Sequence, residues 1–463
     1  MSLTPGSIAA RDVDSVLHPY TNPTLMAMQG PMIMDHAEGI HMWDDQGNKY
    51  IEGLAGLWCT SLGYANEELA QTAYDQMKKL SYSHMFIGKS HEPGILLAEK
   101  LKSMMPMEAS KVFFGCSGSD ANDTQVKLMW YYNNAIGRPN KKKIISRVKA
   151  YHGISLAATS LTGLPAIHTH FDVPVNDRFL HTDCPHYYRF AEPGETEEEF
   201  SSRLAANLEK MILAEDPDTV AAFIAEPVMG AGGVLVPPAG YFEKIQAVLN
   251  KYDIMFIVDE VITGLGRTGN PFGSQTYNIK PDTMSLAKAL TSAYQPLSAV
   301  VIPQRMFEAI AEASAEVGNF AHGYTFSGHP VAAAVGLKVL EIYERENLFD
   351  KVAALSPRFQ QGLQTFADHP LVGEARGVGL IGALELVQNK ATKASFDPVG
   401  KVGMHCLSRC HANGLVVRAI GDTMAFCPPL IVSDDEVGEI FDRFGTALDE
   451  TLDWARREGL VSA

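Results

Sequence analysis

Short apolar runs rich in β-branched residues alternate with longer amphipathic stretches over the first 330 residues of this chain. Helices are predicted between the runs, for example at 119–135 and 241–252. The runs predict strands at 111–116, 142–148, 220–227, 254–261 and 297–303. Strands that are apolar on both faces and separated by helices indicate a mostly parallel sheet covered on both sides.

The pattern changes after residue 330, where long helices and short strands follow one another. Helices are predicted at 331–348, 352–367 and from residue 434 onward, and strands at 375–386, 414–420 and 423–432. This mixture indicates a smaller α+β domain, which a hairpin predicted at 41–56 is expected to join. We therefore expect an N-terminal segment (1–65), a large domain (66–332) and a C-terminal small domain (333–463).

Composition narrows the range of partners and locations. The 463 residues are 46% hydrophobic and 20% charged, which is typical of a globular protein of two or three domains. The net charge is −16 with no opposing basic block, so neither nucleic acid nor an anionic membrane is an expected partner. The six cysteines are scattered, and neither an export signal nor a membrane-spanning apolar run is visible. These features predict free thiols and a cytoplasmic location.

A single lysine stands among small residues in "SLAKALTSAYQP" (285–296). Lys288 lies between two alanines, and the nearest other charge along the chain is Asp282. Surface lysines usually have polar or charged neighbours, so we interpret this segment as a tight interior turn. A lysine in an apolar pocket has a lowered pKa and becomes a nucleophile towards carbonyl groups.

Two further segments carry polar groups where a predicted strand ends. The run at 254–260 ends in Asp259 and Glu260, and ligands gather at the carboxyl ends of strands in open α/β sheets. Structural ion pairing is the alternative for these carboxylates. Ser117, Gly118 and Ser119 open the helix after the first strand, where free N–H groups can bind an anion. An ordinary helix N-cap is the alternative there.

Two other motifs suggest different chemistry. "GLGRTG" (264–269) satisfies the glycine pattern of a dinucleotide-binding oxidoreductase, but Pro271 and Gly273 stand where its helix should begin. The histidine-rich segment at 168–190 suggests a zinc site, but its spacing fits no known zinc motif and Pro174 and Pro185 interrupt it. We interpret the first as a glycine-rich loop and the second as a surface loop, with no metal.

Taken together, the first three features match the needs of one cofactor. Pyridoxal phosphate requires a lysine for a Schiff base, an acid opposite its pyridine nitrogen and a cradle for its phosphate. Lys288, Asp259 and the turn at 117–119 provide one of each.

The ordered set "SGSDAN", "YHG", "AEPV", "DEVITGLGRTG", "LAKAL" and "YTFSGHP" resembles the class III aminotransferases, over nearly the whole chain. The resemblance implies fold type I, like aspartate aminotransferase, with a mostly parallel seven-stranded sheet in the large domain and a smaller α+β domain. A narrower resemblance, to omega-amine:pyruvate transaminases, rests on the segments at 53–64, 185–190 and 414–432. Asp120 departs from the family, which often has Glu there.

The resemblance also implies roles for individual residues. Lys288 would carry the cofactor and move the substrate's proton, and Asp259 would keep the pyridine nitrogen protonated. Tyr151 would stack on one ring face and Val261 would pack on the other. Glu226 would support the network near Asp259, unless it is a strand-end carboxylate tied to a backbone turn.

The phosphate and the substrate would contact further residues. The phosphate would be held by Gly118 and Ser119, beside Ser117, and by Thr325 from a neighbouring subunit, which implies a homodimer and allows a tetramer. Tyr20 and Trp58 would line the substrate pocket with Tyr151. Arg418 would pair with a substrate carboxylate, with a surface arginine as the alternative.

The implied activity is transfer of an amino group from a primary amine or omega-amino acid to pyruvate, giving L-alanine by a ping-pong mechanism. Other donor and acceptor pairs stay open, among them diamines, taurine, 4-aminobutyrate and 2-oxoglutarate. An aminomutase or decarboxylase on the same fold also stays open. A nicotinamide-dependent oxidoreductase built around "GLGRTG" is the alternative from a different class.

Overall fold

The structure, a computed structural model, describes residues 3–173 and 178–461. The strands in this part of the chain are β1 (Met34–Glu38), β2 (His41–Asp44), β3 (Lys49–Glu52), β4 (Lys111–Gly115), β5 (Lys143–Arg147), β6 (Phe179–Thr182), β7 (Val220–Ala225), β8 (Met255–Asp259), β9 (Thr283–Leu286), β10 (Ser298–Ile302), β11 (Val372–Val378), β12 (Ile381–Leu386), β13 (Leu415–Val416), β14 (Arg418–Ile420) and β15 (Thr423–Phe426).

The α-helices in the same ranges cover both faces of the sheets or connect them. They are α1 (Ile8–Ser15), α2 (Pro23–Gln29), α3 (Ala55–Trp58), α4 (Glu67–Leu80), α5 (Glu92–Met104), α6 (Gly118–Ala135), α7 (Leu156–Leu161), α8 (Tyr187–Phe190), α9 (Glu197–Glu215), α10 (Tyr241–Lys251), α11 (Gly273–Thr276), α12 (Gln304–Val317), α13 (Pro330–Arg345), α14 (Leu348–Gln364), α15 (Lys401–Ala412) and α16 (Asp434–Arg457). Within the described ranges, no helix is both long and apolar enough to span a membrane.

The central sheet has seven strands in the order β4-β10-β9-β8-β7-β5-β6. The pairs from β9 to β6 are all parallel, and β10 runs antiparallel to both its neighbours. Strands β7, β8 and β10 are buried at every residue, because helices cover both faces of the sheet. The predicted mostly parallel, seven-stranded α/β sheet is confirmed.

Two strands of this sheet differ from the sequence-based interpretation. The segment at 168–190, interpreted as a loop, contains β6 and the short helix α8, while Pro174 lies outside the described residues. Strand β9 lies where no strand was predicted, since it has only four residues and two of them are Thr283 and Ser285. Gln125 of α6 hydrogen-bonds both hydroxyl groups, which allows these polar residues to be buried.

The C-terminal region forms an antiparallel sheet in the order β11-β12-β15-β14, packed against α14, α15 and α16. A third sheet, β1-β2-β3-β13, joins the predicted N-terminal hairpin to this region through the parallel pair β3 and β13. The α+β character expected after residue 330 is present, and the domain boundaries at 65 and 332 stay a prediction. The loops after β3, β8 and β9 and the start of β14 come together at the candidate site.

Candidate active site

Lys288 lies two residues after the end of β9 and begins a short 3-10 turn, Lys288–Thr291. Its backbone lies in the left-handed region, with φ of 49°, a conformation that side chains other than glycine adopt rarely. The half-buried ammonium lies 5.6 Å from the centroid of the Trp58 ring and has no hydrogen-bond acceptor among the described residues. Burial lowers the pKa of Lys288, an effect that the charge of Asp259 opposes. A lysine in this state can attack a carbonyl group.

Asp259 ends β8 and is only 4% exposed. Its Oδ2 accepts hydrogen bonds from Asn122 Nδ2 at 2.7 Å and, with Nδ1 as the donor, from His152 at 2.8 Å. Its Oδ1 accepts from the backbone N–H of Val261 at 3.0 Å. Three donors from three segments therefore fix the carboxylate, and no lysine or arginine in the described ranges forms a salt bridge with it. This arrangement keeps a negative charge available for a cationic ligand group.

Asn122 and His152 are residues of the site that the sequence reasoning missed, and both hydrogen-bond to Asp259. Both are buried, and the Asn122 Nδ2 also donates to the His152 carbonyl oxygen at 2.7 Å. His152 Nε2 and Asn122 Oδ1 are buried without a hydrogen-bond partner in the described ranges. Both residues belong to motifs that predicted other residues of the site, His152 to "YHG" and Asn122 to "SGSDAN". Their place in these motifs is the sequence signal that could have identified them.

The turn at 117–119 begins α6, as expected. The Ser117 hydroxyl accepts from the Asp120 backbone N–H at 3.2 Å and so acts as a helix N-cap. For Ser117 this is the alternative role that the sequence allowed beside anion binding. The Ser119 hydroxyl accepts from the Ile154 N–H at 3.0 Å. Within the described part of the chain, the backbone N–H groups of Gly118 and Ser119 have no acceptor, so they are available to an anion at the end of an 18-residue helix.

Gly118 lies beside Val261, as the expected cofactor site requires. A Cβ atom at Gly118 would lie 3.0 Å from one methyl group of Val261 and 3.1 Å from the other. The helix terminus thus lies against the residue that follows Asp259 by two positions. The carboxylate and the anion-binding N–H groups therefore lie in one site.

Tyr151 and Glu226 lie on the other side of Asp259. Glu226 accepts from the backbone N–H of Tyr151 at 3.0 Å and from that of Gly230 at 2.9 Å. Glu226 is therefore a strand-end carboxylate tied to backbone turns, which was one of its two predicted roles. It also lies close enough to Asp259 and His152 to interact electrostatically with both. Burial raises the pKa of Glu226. Its contact with Tyr151 fixes the segment that carries this ring.

The expected substrate residues come together around Trp58. The guanidinium carbon of Arg418 lies 5.9 Å from the centroid of the Trp58 ring, on which Lys288 also lies. Tyr20 is exposed but lies close enough to Tyr151 and Arg418 to influence the pKa of each. Burial raises the pKa of Tyr151, and the nearby Tyr20 raises it further. Arg418 is half-buried, burial lowers its pKa, and it forms no salt bridge in the described ranges.

Thr325 is exposed in this single chain, and its carbonyl oxygen accepts from the Tyr82 hydroxyl at 2.8 Å. The neighbouring Tyr324 donates to the Asp120 carbonyl oxygen at 3.2 Å. The expected contact of Thr325 with a phosphate across a subunit interface stays a prediction.

The remaining motifs have structural roles. Glu260 accepts from the Ser274 N–H at 2.6 Å and the Gly273 N–H at 3.0 Å, so it fixes the glycine-rich loop. That loop is followed by the four-residue helix α11, which provides no long helix for a pyrophosphate.

The histidine-rich segment contributes one possible metal ligand. His186 lies near Glu374 and Glu385, which could form a metal site with it. Arg376 pairs with both carboxylates and Arg189 pairs with Glu385, so the negative charge of this cluster is already compensated.

The site fits pyridoxal phosphate in its donors and its charges. Lys288 offers an amine without a hydrogen-bond acceptor, Asp259 offers a fixed carboxylate, and the α6 terminus offers unpaired N–H groups, each within the described ranges. The roles of the individual residues stay predictions.

Comparisons with known proteins agree with this geometry. Residues 25–448 match the family described as "Aminotransferase class-III". The chain is 52% identical to gamma aminobutyrate transaminase 1, mitochondrial, of Solanum lycopersicum, over 94% of this chain and 85% of that protein. An omega transaminase from Pseudomonas jessenii in complex with PMP has a TM-score of 0.95 at 54% identity, covering 97% of this chain and 99% of that one. A structure described as a transaminase with L-ala has a TM-score of 0.90 at 50% identity, covering 91% and 99%.

Proposed function

Because this chain belongs to the class III aminotransferases, which use pyridoxal phosphate, we propose that it transfers the amino group of a primary amine or omega-amino acid to pyruvate, giving L-alanine. The amine donors include omega-amino acids such as 4-aminobutyrate. The curated relatives named gamma-aminobutyrate transaminases support this donor, and the neighbours named omega transaminases support the broader class of amines.

The observation that carries the proposal is the guanidinium of Arg418, which forms no salt bridge with any residue that the structure describes. A half-buried cation without an acidic partner in the described ranges is costly unless an anion binds to it. Arg418 and Lys288 both lie on Trp58, at 5.9 and 5.6 Å from its ring centroid. A small keto acid can therefore place its carboxylate at Arg418, a bidentate partner, and its carbonyl carbon towards Lys288.

The site residues supply orientation and proton transfer. When bound, pyridoxal phosphate supplies an electron-withdrawing ring that stabilises negative charge on the amino-bearing carbon. When the cofactor is bound, Asp259, held by Asn122 and His152, would pair with its cationic pyridine nitrogen. Lys288, whose pKa is lowered by burial, would accept the proton from the amino-bearing carbon of the donor in one half-reaction and donate a proton to the corresponding carbon of the acceptor in the other. The same residues serve both half-reactions, as a ping-pong mechanism requires.

The proposal includes a homodimer in which Thr325 completes the phosphate site of the partner subunit. The exposure of Thr325 beside the start of α6, and the exposed Phe86, Ile87 and Phe326, support such an interface. A cytoplasmic location is proposed on the six free cysteines.

A panel of donors and acceptors tests the function. The purified holoenzyme is assayed with 4-aminobutyrate, β-alanine, a diamine, taurine and 1-phenylethylamine, each with pyruvate and with 2-oxoglutarate. We expect L-alanine from pyruvate with at least one donor, and a weaker reaction with 2-oxoglutarate, whose second carboxylate has no further cation assigned to it. Exclusive use of 2-oxoglutarate would overturn the acceptor assignment and leave the family unaffected.

A further inference from the structure

The loop that carries Trp58 has an unusual backbone. Ala55 and Trp58 both have positive φ, at 51° and 63°, and Gly56 between them has φ of 65°. A left-handed residue other than glycine is strained and persists only where its surroundings determine its conformation. Some contact must therefore hold this loop in place.

Glu52, the last residue of β3, lies beneath the loop and is 1% exposed. Its Oε1 accepts from the Leu54 backbone N–H at 2.7 Å, and its Oε2 accepts from the Tyr64 hydroxyl at 3.1 Å. Within the described ranges Glu52 forms no salt bridge, and its carboxylate hydrogen-bonds only to the turn and to Tyr64.

The Trp58 ring depends on this loop for its position. Its indole Nε1 is buried without a partner in the described ranges, so no side-chain hydrogen bond fixes the ring. The backbone N–H of Trp58 donates to the Leu54 carbonyl oxygen at 3.0 Å, which links it to the residue that Glu52 binds. On its far side the ring packs against Gly230, where a Cβ atom would lie 2.1 Å from it.

We propose that Glu52 is a positioning residue that fixes Trp58 and thereby determines which sizes of amine the pocket accepts. The inference rests on the proposed function, in which Trp58 forms a wall of the substrate pocket. Without the carboxylate, Ala55 and Trp58 can relax to ordinary backbone conformations, and the ring leaves its place between Gly230 and Lys288. The effect of Glu52 on substrate choice then passes through Trp58.

The test compares a bulky donor, 1-phenylethylamine, with a small one, isopropylamine, using pyruvate and holoenzyme of measured cofactor content. The ratio of the two kcat/KM values is determined for wild type, Glu52→Ala, Glu52→Gln, Trp58→Ala and the double variant Glu52→Ala/Trp58→Ala. We expect Glu52→Ala to change the ratio about fivefold or more, because substitutions of residues that share contacts commonly affect one another to this extent. Glu52→Gln should retain most of the wild-type ratio, because an amide oxygen can still accept from Leu54. In the Trp58→Ala background, Glu52→Ala should have little effect.

Glu260→Gln is the matched control. Glu260 is also a buried strand-end carboxylate that accepts backbone N–H groups, but those belong to Gly273 and Ser274. It should lower the melting temperature and leave the ratio unchanged, which separates positioning of Trp58 from general stability.

Two results would overturn the inference: an unchanged ratio in folded Glu52→Ala, or an equal change with and without Trp58. If Glu52→Ala does not fold, Tyr64→Phe removes one donor to the carboxylate, and an unchanged ratio there refutes the inference too. If wild type uses neither amine, the ratio is determined instead for 4-aminobutyrate and β-alanine, two donors of different length. If wild type transfers the amino group of no donor to pyruvate, the proposed function fails, and with it the substrate-pocket role of Trp58.

Discussion

Replacement of Arg418 by alanine separates the two halves of the proposed reaction. If its guanidinium binds the carboxylate of the keto acid, Arg418→Ala should slow the half-reaction with pyruvate. The half-reaction with 1-phenylethylamine, which has no carboxylate, should be largely spared. The reason is that removal of a cation affects only the ligand that brings an anion.

The expected magnitude follows from the surroundings of Arg418. A charge-assisted hydrogen-bonded pair is worth roughly 1.5–3 kcal/mol, which corresponds to a loss of about 10- to 150-fold. Since Arg418 has no acidic partner in the described ranges, the substitution leaves no buried carboxylate unpaired. The lost contact with Trp58 costs only about 0.5–1 kcal/mol, so the variant should fold.

The assay follows the absorbance of the cofactor in single turnovers of each half-reaction. Arg358→Ala is the matched control, because Arg358 is exposed and pairs with Asp434 at 3.6 Å on the surface. Equal losses in both half-reactions of Arg418→Ala would refute the reasoning and mean that the carboxylate of pyruvate is bound elsewhere.

Three further predictions concern the cofactor site and the loop. Lys288→Ala should abolish turnover while the protein stays folded, and steady-state activity of the purified variant above contamination would contradict the assignment. Asp259→Asn should bind the cofactor more weakly and lose roughly a hundredfold in rate, about 3 kcal/mol in barrier, and a rate within twofold of wild type would make Asp259 structural. Burial raises the pKa of Glu52 from 4.5 to about 7, so the native state binds more protons than the unfolded state between these values, and stability falls as pH rises through this range. In Glu52→Gln this loss of about 3 kcal/mol in the free energy of unfolding should be absent. The melting temperature of the variant should therefore rise relative to that of wild type from pH 5 to pH 8, and a constant difference between the two would contradict the prediction.

Contacts between distant parts of the chain could not be predicted from sequence. Asp259 was selected because it ends a buried strand, but its partners His152 and Asn122 lie 107 and 137 residues away along the chain. Strand β9 was not predicted because its serine and threonine are polar, and polar residues do not indicate a buried strand. In the structure their hydroxyl groups hydrogen-bond to Gln125, which allows them to be buried. Glu52 gave no signal at all, since a strand-end glutamate is ordinary until it is buried beneath a strained loop.

Features that depend only on neighbours along the chain were predictable from the amino-acid sequence. The buried sheet, the helix that begins at residue 118 and the isolated lysine all follow from local pattern, because periodicity and solvation act over a few residues. Which carboxylate has which partner depends instead on segments that meet in space, because burial and hydrogen bonding are set by tertiary contacts. These contacts fix Asp259 between Asn122 and His152, leave Arg418 without an acidic partner in the described ranges and bury Glu52 beneath the loop that carries Trp58.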